Sequence, residues 1–191
     1  MVDDGSRDNT AREALHNGAR VISLTRNYGK GAAMQAGADA AAGDILVLLD
    51  ADLEDTASQA NLLITPVMNN STDMTIATFP VIPGKGGGLG FAVKLARAGI
   101  YRHTGKIMVA PLSGQRALRK SALLKIGGFA EGFGAEVALT IRMLKAGYGV
   151  MEIPTEMSHR VTGRDMQGII HRGRQFLAVL NTLIHLNTQG R

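Results

Sequence analysis

The sequence predicts an α/β fold with a mostly parallel sheet flanked by helices. Short β-rich runs alternate with helical patterns over about the first 80 residues, an order typical of a doubly wound sheet. Residues 45–49 (ILVLL) form an unbroken apolar run, which favours a strand covered on both faces. The chain has 191 residues, 45% of them hydrophobic, which is enough for a substantial core. We therefore expect one domain over residues 1–191.

In the first half, the predicted elements follow the chain in a strand–helix order. A strand ends at Asp3-Asp4, and a helix follows, with Thr10 as its N-cap, Glu13 three residues later and Gly18 as its stop. The remaining elements are a strand in RVISLT, a glycine-rich turn and Ala-rich helix in NYGKGAAMQAGADAAAGD, the apolar strand, a helix over 56–70, and a strand in DMTIATF.

The second half begins with residues 80–90 (PVIPGKGGGLG), whose prolines and glycines predict a loop. The predicted elements after it are a helix in FAVKLARAGIYRHTG, a strand near 114–118, a helix near 121–126, a helix in GAEVALTIRMLKAG, a strand in GVMEIP and a final amphipathic helix. One side of that final helix is basic and carries Arg164, His171, Arg172 and Arg174. A solvated face is the commoner explanation of such charges, and binding of a phosphorylated acceptor or an anionic lipid head group is the functional one.

Composition removes several classes of function. The absence of cysteine excludes disulfides and thiolate metal sites and fits a cytoplasmic protein, with peripheral contact to a membrane left open. No apolar run approaches the ~18–20 residues of a membrane span, and the N-terminus lacks a signal-peptide pattern. The net charge of +5 indicates either solubility or an anionic partner. Aromatic residues make up only 4% of the chain, so we expect no nucleic-acid partner.

Three polar motifs follow predicted strands: Asp3-Asp4, the Gly-Lys-Gly turn at 29–31, and Asp50-Ala51-Asp52. Ligands of open α/β sheets bind outside the carboxyl ends of the strands, so these motifs are expected at one site. An Asp-x-Asp pair suits a hard divalent cation that also binds diphosphate oxygens. Lys30 and the neighbouring backbone N–H groups would add positive charge. Each motif alone is weak, because many Asp-x-Asp pairs are solvated caps and no Walker P-loop is present.

The motifs VDDGSRDNT, NYGKGAAMQAGADAAAGD and LVLLDADL together resemble the N-terminal half of family 2 glycosyltransferases of the GT-A fold. The resemblance implies transfer of a sugar from a nucleotide diphosphate sugar with Mg²⁺ or Mn²⁺. It puts Asp3, Asp4 and Ser6 beside the nucleoside and Lys30 near the base or phosphate. Asp50, Ala51 and Asp52 would then form the metal and diphosphate motif, with Asp52 the more direct ligand.

The stretches APLSGQRALRK, GFGAEVALTI and MSHRVTGRD resemble glucosyl-3-phosphoglycerate synthases and their relatives. By this resemblance Ser113, Gly114, Gln115 and Arg164 bind the acceptor, and His159 is a second metal ligand. Glu136 is either the base of an inverting reaction or a group that positions the acceptor in a retaining one. Read from the residues alone, His159 could be a surface histidine and Glu136 a charge favouring a helix dipole. Gln115 stands where those relatives carry an acidic residue.

The resemblance favours UDP-glucose as donor, with GDP-mannose second, and a phosphorylated or polyprenyl-phosphate acceptor. It also implies a strand and helix before Asp3-Asp4 that this sequence lacks, and therefore an exposed sheet edge, low stability or self-association as a homo-oligomer. Two alternatives stay open: a truncated, non-catalytic nucleotide-binding domain, and a sugar nucleotidyltransferase.

Overall fold

A computed structural model describes residues 1–80, 90–130, 132, 134–158 and 176–186 of the chain. Its strands are β1 (Val2–Asp3), β2 (Ile22–Ser23), β3 (Ile45–Leu48), β4 (Met74–Thr78), β5 (Arg116–Arg119) and β6 (Val150–Pro154). Its helices are α1 (Thr10–His16), α2 (Lys30–Ala40), α3 (Ala60–Met68), α4 (Gly90–Thr104), α5 (Lys120–Lys125) and α6 (Ala135–Lys145). A 3₁₀ segment spans Glu54–Gln59, and residues 176–186 are helical.

The strands form two sheets. β1 and β2 pair in parallel, with Val2 opposite Ile22. The larger sheet has the order β3-β5-β4-β6. β4 and β6 are parallel, whereas β5 lies antiparallel between β3 and β4. The strands β3, β4 and β6 therefore run in one direction, and their carboxyl ends meet at one edge of the sheet.

Side chains alternate across the larger sheet, as the pleat of a strand requires. One face carries Leu46, Met74, Ile76 and Leu118, which belong to a core shared with buried residues of α4, α5 and α6. The opposite face carries Ala77 and Ala117, which belong to a core with Leu63 and Val67 of α3. Helices thus cover both faces of the sheet, which confirms the predicted α/β class.

Two sequence expectations are wrong, and a third cannot be compared over its full length. β3 is not covered on both faces, because Val47 is 36% exposed and Leu49 40% exposed, and among the described strands β3 pairs only with β5. Thr10 is not a side-chain cap: the helix begins at Thr10, and the carboxylate of Asp8 accepts hydrogen bonds from its N–H and hydroxyl. The predicted final helix begins in a range outside the described residues.

Within the described ranges, no helix is both long enough and apolar enough to span a bilayer.

Candidate active site

The acidic pair after β1 organises two neighbouring loops. Asp3 is buried, and its Oδ1 accepts a hydrogen bond of 3.1 Å from the N–H of Ser6. The carboxylate of Asp4 accepts bonds of 2.8 Å from the N–H groups of Tyr28 and Gly29, directly before α2. Both carboxylates therefore fix backbone in this structure, a function that the motif alone did not reveal.

A close backbone approach explains the glycine in the Asp-Asp-Gly-Ser stretch. Gly5 has φ +75°, a conformation that side-chain-bearing residues rarely adopt. A Cβ at this position would lie 2.7 Å from the carbonyl carbon of Arg26 and 2.8 Å from the nitrogen of Asn27. The loop after β1 and the loop before α2 consequently pack backbone to backbone.

Lys30, the first residue of α2, joins two carboxylates that are distant in sequence. Its Nζ lies 3.1 Å from Oδ1 of Asp50 and 2.8 Å from Oε1 of Glu136. The side chain of Glu136 is only 8% exposed, whereas those of Lys30 and Asp50 are about one-third exposed. Burial alone would lower the pKa of Lys30, but Glu136 and Asp50 together outweigh it and raise that pKa above its usual value. We call these three residues the Lys30 cluster.

The segment before β5 closes over the Lys30 cluster. The side-chain amide of Gln115 donates a 2.8 Å hydrogen bond to Oδ2 of Asp50, and Gln115 is fully buried. A Cβ on Gly114 would stand 2.7 Å from that same Oδ2 and 2.8 Å from Nζ of Lys30. Ser113 is also buried, with its hydroxyl 3.3 Å from Oε1 of Gln115. The structure thus brings the predicted residues Ser113, Gly114, Gln115 and Glu136 beside Lys30 and Asp50.

Sequence reasoning missed Arg116, the buried residue that holds this segment. Its guanidinium is fully buried and donates to the carbonyls of Ser113 (2.8 Å) and Pro111 (3.1 Å) and to the hydroxyl of Thr140 (2.8 Å). Burial lowers the pKa of Arg116 to about 10, against the opposing influence of two glutamates, Glu136 and Glu152. The guanidinium remains charged at neutral pH. The available signal was an arginine within the strand predicted near 114–118.

Sequence reasoning also missed Glu152 of β6, which holds the other end of the same segment. Its carboxylate accepts hydrogen bonds from the N–H groups of Val109 (2.8 Å) and Ala110 (2.6 Å). Arg116 and Glu152 together fix residues 109–116 at both ends. The position of Gln115 therefore depends on Arg116 and Glu152, two charged residues outside the Lys30 cluster.

Asp52 lies in the exposed turn after β3, next to the exposed Ala51. Its oxygens suit a hard divalent cation, and exposure leaves room for phosphate oxygens as further ligands. Both oxygens of Asp50 contact protein groups, Lys30 and Gln115. The described residues contain no group of three or more His, Asp or Glu side chains placed to hold a metal. His159 and Arg164, a predicted ligand and a predicted acceptor group, lie outside the described residues.

The fold and the site define an α/β protein whose polar side chains converge where β3 and β4 end, the usual ligand site of such sheets. The model of the family described as "Glycosyl transferase family 2" matches residues 1–127, so the chain belongs to glycosyltransferase family 2. This finding confirms the family resemblance read from the motifs.

Curated relatives include an undecaprenyl-phosphate 4-deoxy-4-formamido-L-arabinose transferase of Pseudomonas fluorescens, which is 38% identical over 42% of this chain and 28% of its own. A dodecaprenyl-phosphate galacturonate synthase of Rhizobium johnstonii is 33% identical over 40% of this chain and 24% of its own. The match therefore spans about a quarter of the length of these relatives.

Solved structures of glucosyl-3-phosphoglycerate synthase from Mycobacterium tuberculosis are similar over nearly the whole chain. The complex with phosphoglyceric acid has a TM-score of 0.78 and 26% identity, covering 96% of this chain and 66% of that one. The complex with Mn²⁺, UDP-glucose and phosphoglyceric acid has a TM-score of 0.76, 26% identity and the same two coverages. A further complex of that enzyme contains Mg²⁺ and UDP. These likenesses confirm the GT-A fold expected from the motifs.

Proposed function

We propose that this chain is a metal-dependent hexosyltransferase that uses a nucleotide diphosphate sugar, with UDP-glucose as the favoured donor. The observation that carries the proposal is the Lys30 cluster at the carboxyl ends of the strands, with Gln115 bonded to Asp50 and with Asp52 at the end of the same strand. Membership of glycosyltransferase family 2 and the UDP-glucose complex of a similar synthase support the donor class. We also propose that residues 1–191 form a single transferase domain.

A divalent cation, Mg²⁺ or Mn²⁺, is part of this proposal. The carboxylate of Asp52 would hold it, with His159 as a second ligand, and it would supply positive charge to the diphosphate. One complex of the similar synthase contains Mn²⁺ with UDP-glucose and another contains Mg²⁺ with UDP, which supports this choice of metal. Asp50 is better suited to orienting Lys30, because both of its oxygens already have partners.

The transfer breaks the bond between the anomeric carbon and the diphosphate oxygen, whose electron pair leaves with the nucleoside diphosphate. A new bond forms between the anomeric carbon and an acceptor oxygen. An acceptor hydroxyl would lose its proton to a base such as Glu136, whereas an ionised acceptor phosphate would need no base. Because Glu136 contacts Lys30, we favour a positioning function for its carboxylate over that of a free base.

For the acceptor we propose a small phosphorylated molecule or a polyprenyl phosphate. The first is supported by the phosphoglyceric acid complexes of the similar synthase, and the second by the names of the curated relatives. Ser113, Gly114, Gln115 and Arg164 are the proposed acceptor-binding residues, and Asp3, Asp4 and Ser6 shape the nucleoside side. A homo-oligomer and a cytoplasmic, membrane-peripheral location remain part of the proposal.

The decisive experiment is calorimetric titration of UDP and GDP with and without Mn²⁺. We expect UDP to bind only with Mn²⁺ and the binding to be lost in Asp52→Ala. Asp44→Ala is the matched control, because this exposed carboxylate lies just before β3, at its other end. Binding that ignores Mn²⁺, or that survives in Asp52→Ala as well as in the control, would contradict the proposed metal–diphosphate site.

Turnover separates the proposal from its alternatives. UDP release from UDP-glucose should be stimulated by 3-phosphoglycerate or by undecaprenyl phosphate. Pyrophosphate release from a nucleoside triphosphate would instead indicate a nucleotidyltransferase. Mn²⁺-dependent binding without turnover on any acceptor would indicate a non-catalytic nucleotide-binding domain.

A further inference from the structure

The helix α4 carries two large aromatic side chains on its solvent-exposed side. Its buried side consists of Ala92, Ala96, Gly99 and Ile100 and packs toward α6 and the 176–186 helix. On its opposite side Phe91 is 80% exposed and Tyr101 58% exposed. Single exposed apolar residues are ordinary, whereas large apolar side chains grouped on one exposed face indicate an interaction surface.

Cations alternate with these rings on the same face. Lys94, Arg97 and Arg102 are all exposed, and they follow Phe91 at helical spacings of three, six and eleven residues. We call Phe91, Lys94, Arg97, Tyr101 and Arg102 the α4 face. Neither α4 nor the 176–186 helix contains an aspartate or glutamate. This face therefore has a uniformly positive charge around two exposed rings.

The positive charge extends beyond α4. Lys106 is exposed in the turn that follows, beside Ile107, which is 79% exposed. The pKa of His103 is lowered, first by partial burial and then by the nearby charges of Lys145 and Arg102. The neighbouring 176–186 helix adds two exposed apolar side chains, Leu177 (57%) and Ile184 (51%). Exposed apolar side chains are therefore present on both of these packed helices, and cations lie on α4 and in the turn after it.

We propose that the α4 face is a docking surface for a bilayer that contains anionic phospholipids. Amphipathic helices at a membrane surface combine apolar or aromatic residues with Lys and Arg, and the charges attract anionic head groups. Phe91 and Tyr101 would enter the boundary between head groups and acyl chains, while Lys94 and Arg102 would contact lipid phosphates. The inference rests on α4 and its neighbours alone and does not require the proposed transferase reaction.

The absence of tryptophan makes a direct test available. Phe91→Trp introduces a single reporter on the α4 face, and Leu124→Trp introduces a matched reporter on α5, where Leu124 is 61% exposed. With vesicles of phosphatidylcholine mixed with the anionic lipid phosphatidylglycerol, which reproduces the negative surface potential of a cytoplasmic leaflet, the emission of the Phe91→Trp reporter should shift to the blue. Brominated lipids should quench that emission and leave the emission of the control reporter unchanged.

Vesicle flotation supplies the second measurement. The double variant Lys94→Glu/Arg102→Glu should reduce partition into anionic vesicles by at least about 25-fold, since each cation contributes about fivefold. Arg97 is left unchanged, because its guanidinium hydrogen-bonds to the carbonyl of Val109. The control Arg12→Glu/Lys125→Glu, which carries the same charge change on α1 and α5, should lose much less.

Several outcomes would overturn the proposal. With the unmodified chain, these are the absence of binding to anionic vesicles or equal binding to pure phosphatidylcholine. With the reporters, it is quenching of Leu124→Trp as strong as that of Phe91→Trp. With the charge variants, it is an equal loss of vesicle partition in both. A face that served an acidic protein or a nucleic acid would give the first of these results. Circular dichroism of each variant would establish that the folded state is being compared.

Discussion

Replacing Arg116 with methionine tests whether a buried guanidinium holds the segment that contacts the Lys30 cluster. Methionine has a similar length and no charge, so it fills much of the space without donating hydrogen bonds. The variant leaves the carbonyls of Pro111 and Ser113 without their donor, at a position that is 0% exposed to water. It also removes the positive charge beside Glu136 and Glu152.

The expected magnitude follows from these contacts. A buried polar group left without a partner costs about 1–3 kcal/mol, and breaking a buried charge arrangement costs about 3–5 kcal/mol. We therefore expect Arg116→Met to lower the free energy of unfolding by about 3–5 kcal/mol. That loss is a large fraction of the ~5–15 kcal/mol typical of a whole domain.

Arg119 offers a matched control in the same strand. It donates hydrogen bonds to the carbonyl of Val67 and to Oδ1 of Asn70, and it lies 3.4 Å from Asp73. Its side chain is 27% exposed, so water can replace those partners. We expect Arg119→Met to cost about 1 kcal/mol, in the range of exposed ion pairs and single hydrogen bonds.

Urea unfolding followed by circular dichroism measures both variants. A loss below about 1 kcal/mol in Arg116→Met, or a loss no greater than that of Arg119→Met, would refute the reasoning. If Arg116→Met does not fold, Arg116→Lys keeps the charge without the planar fork and should lose an intermediate amount. Among folded variants, affinity for UDP with Mn²⁺ should fall for Arg116 and not for Arg119, since only Arg116 holds the segment next to Asp50.

Three further predictions concern single positions. Glu136 and Asp50 raise the pKa of Lys30 above its usual value of 10.5, so its ion pairs stabilise the fold below that pH and lose their effect as the pH rises through the raised pKa. In unfolding curves at alkaline pH, Lys30→Met should therefore lose less stability than the unmodified chain. Gly114→Ala should weaken UDP binding in titrations while changing the melting temperature little, because its Cβ would displace only the flexible ends of Asp50 and Lys30. Val47→Lys should reduce concentration-dependent association in sedimentation velocity, because Val47 is 36% exposed on β3, whose only partner among the described strands is β5.

The convergence of polar motifs at strand ends could be predicted from sequence because it depends only on local patterns. An apolar run fixes a strand, and the residue after the run lies at the strand's end, whatever the neighbouring strands are. Asp50 and Lys30 could therefore be expected at one site before the structure was known, although their direct contact was not predicted. Their ion pair of 3.1 Å is consistent with that shared site.

Strand order and direction could not be predicted in the same way. Periodicity identifies a strand but not its neighbour, so the antiparallel position of β5 between β3 and β4 was not anticipated. That position brings Gly114 and Gln115 next to Asp50, although Gln115 and Asp50 are 65 residues apart in the sequence. The half-exposed state of β3 has the same origin, because exposure depends on which strands pair on each side of it.

The contacts of Lys30 also change the electrostatic argument for a metal. From sequence, Lys30 was expected to add positive charge to a diphosphate, but in the structure it already contacts Asp50 and Glu136, and the buried Arg116 is the second cation near Glu136. The two cations balance the two carboxylates. A diphosphate that approached Asp52 without a divalent cation would therefore gain no excess positive charge from the Lys30 cluster and would meet the carboxylate of Asp52, which disfavours binding. The divalent ion would then be needed mainly to offset carboxylates. We therefore expect the Mn²⁺ dependence of UDP binding to persist in Lys30→Met, and a variant whose residual binding no longer responds to Mn²⁺ would instead show that Lys30 and the metal act on the diphosphate together.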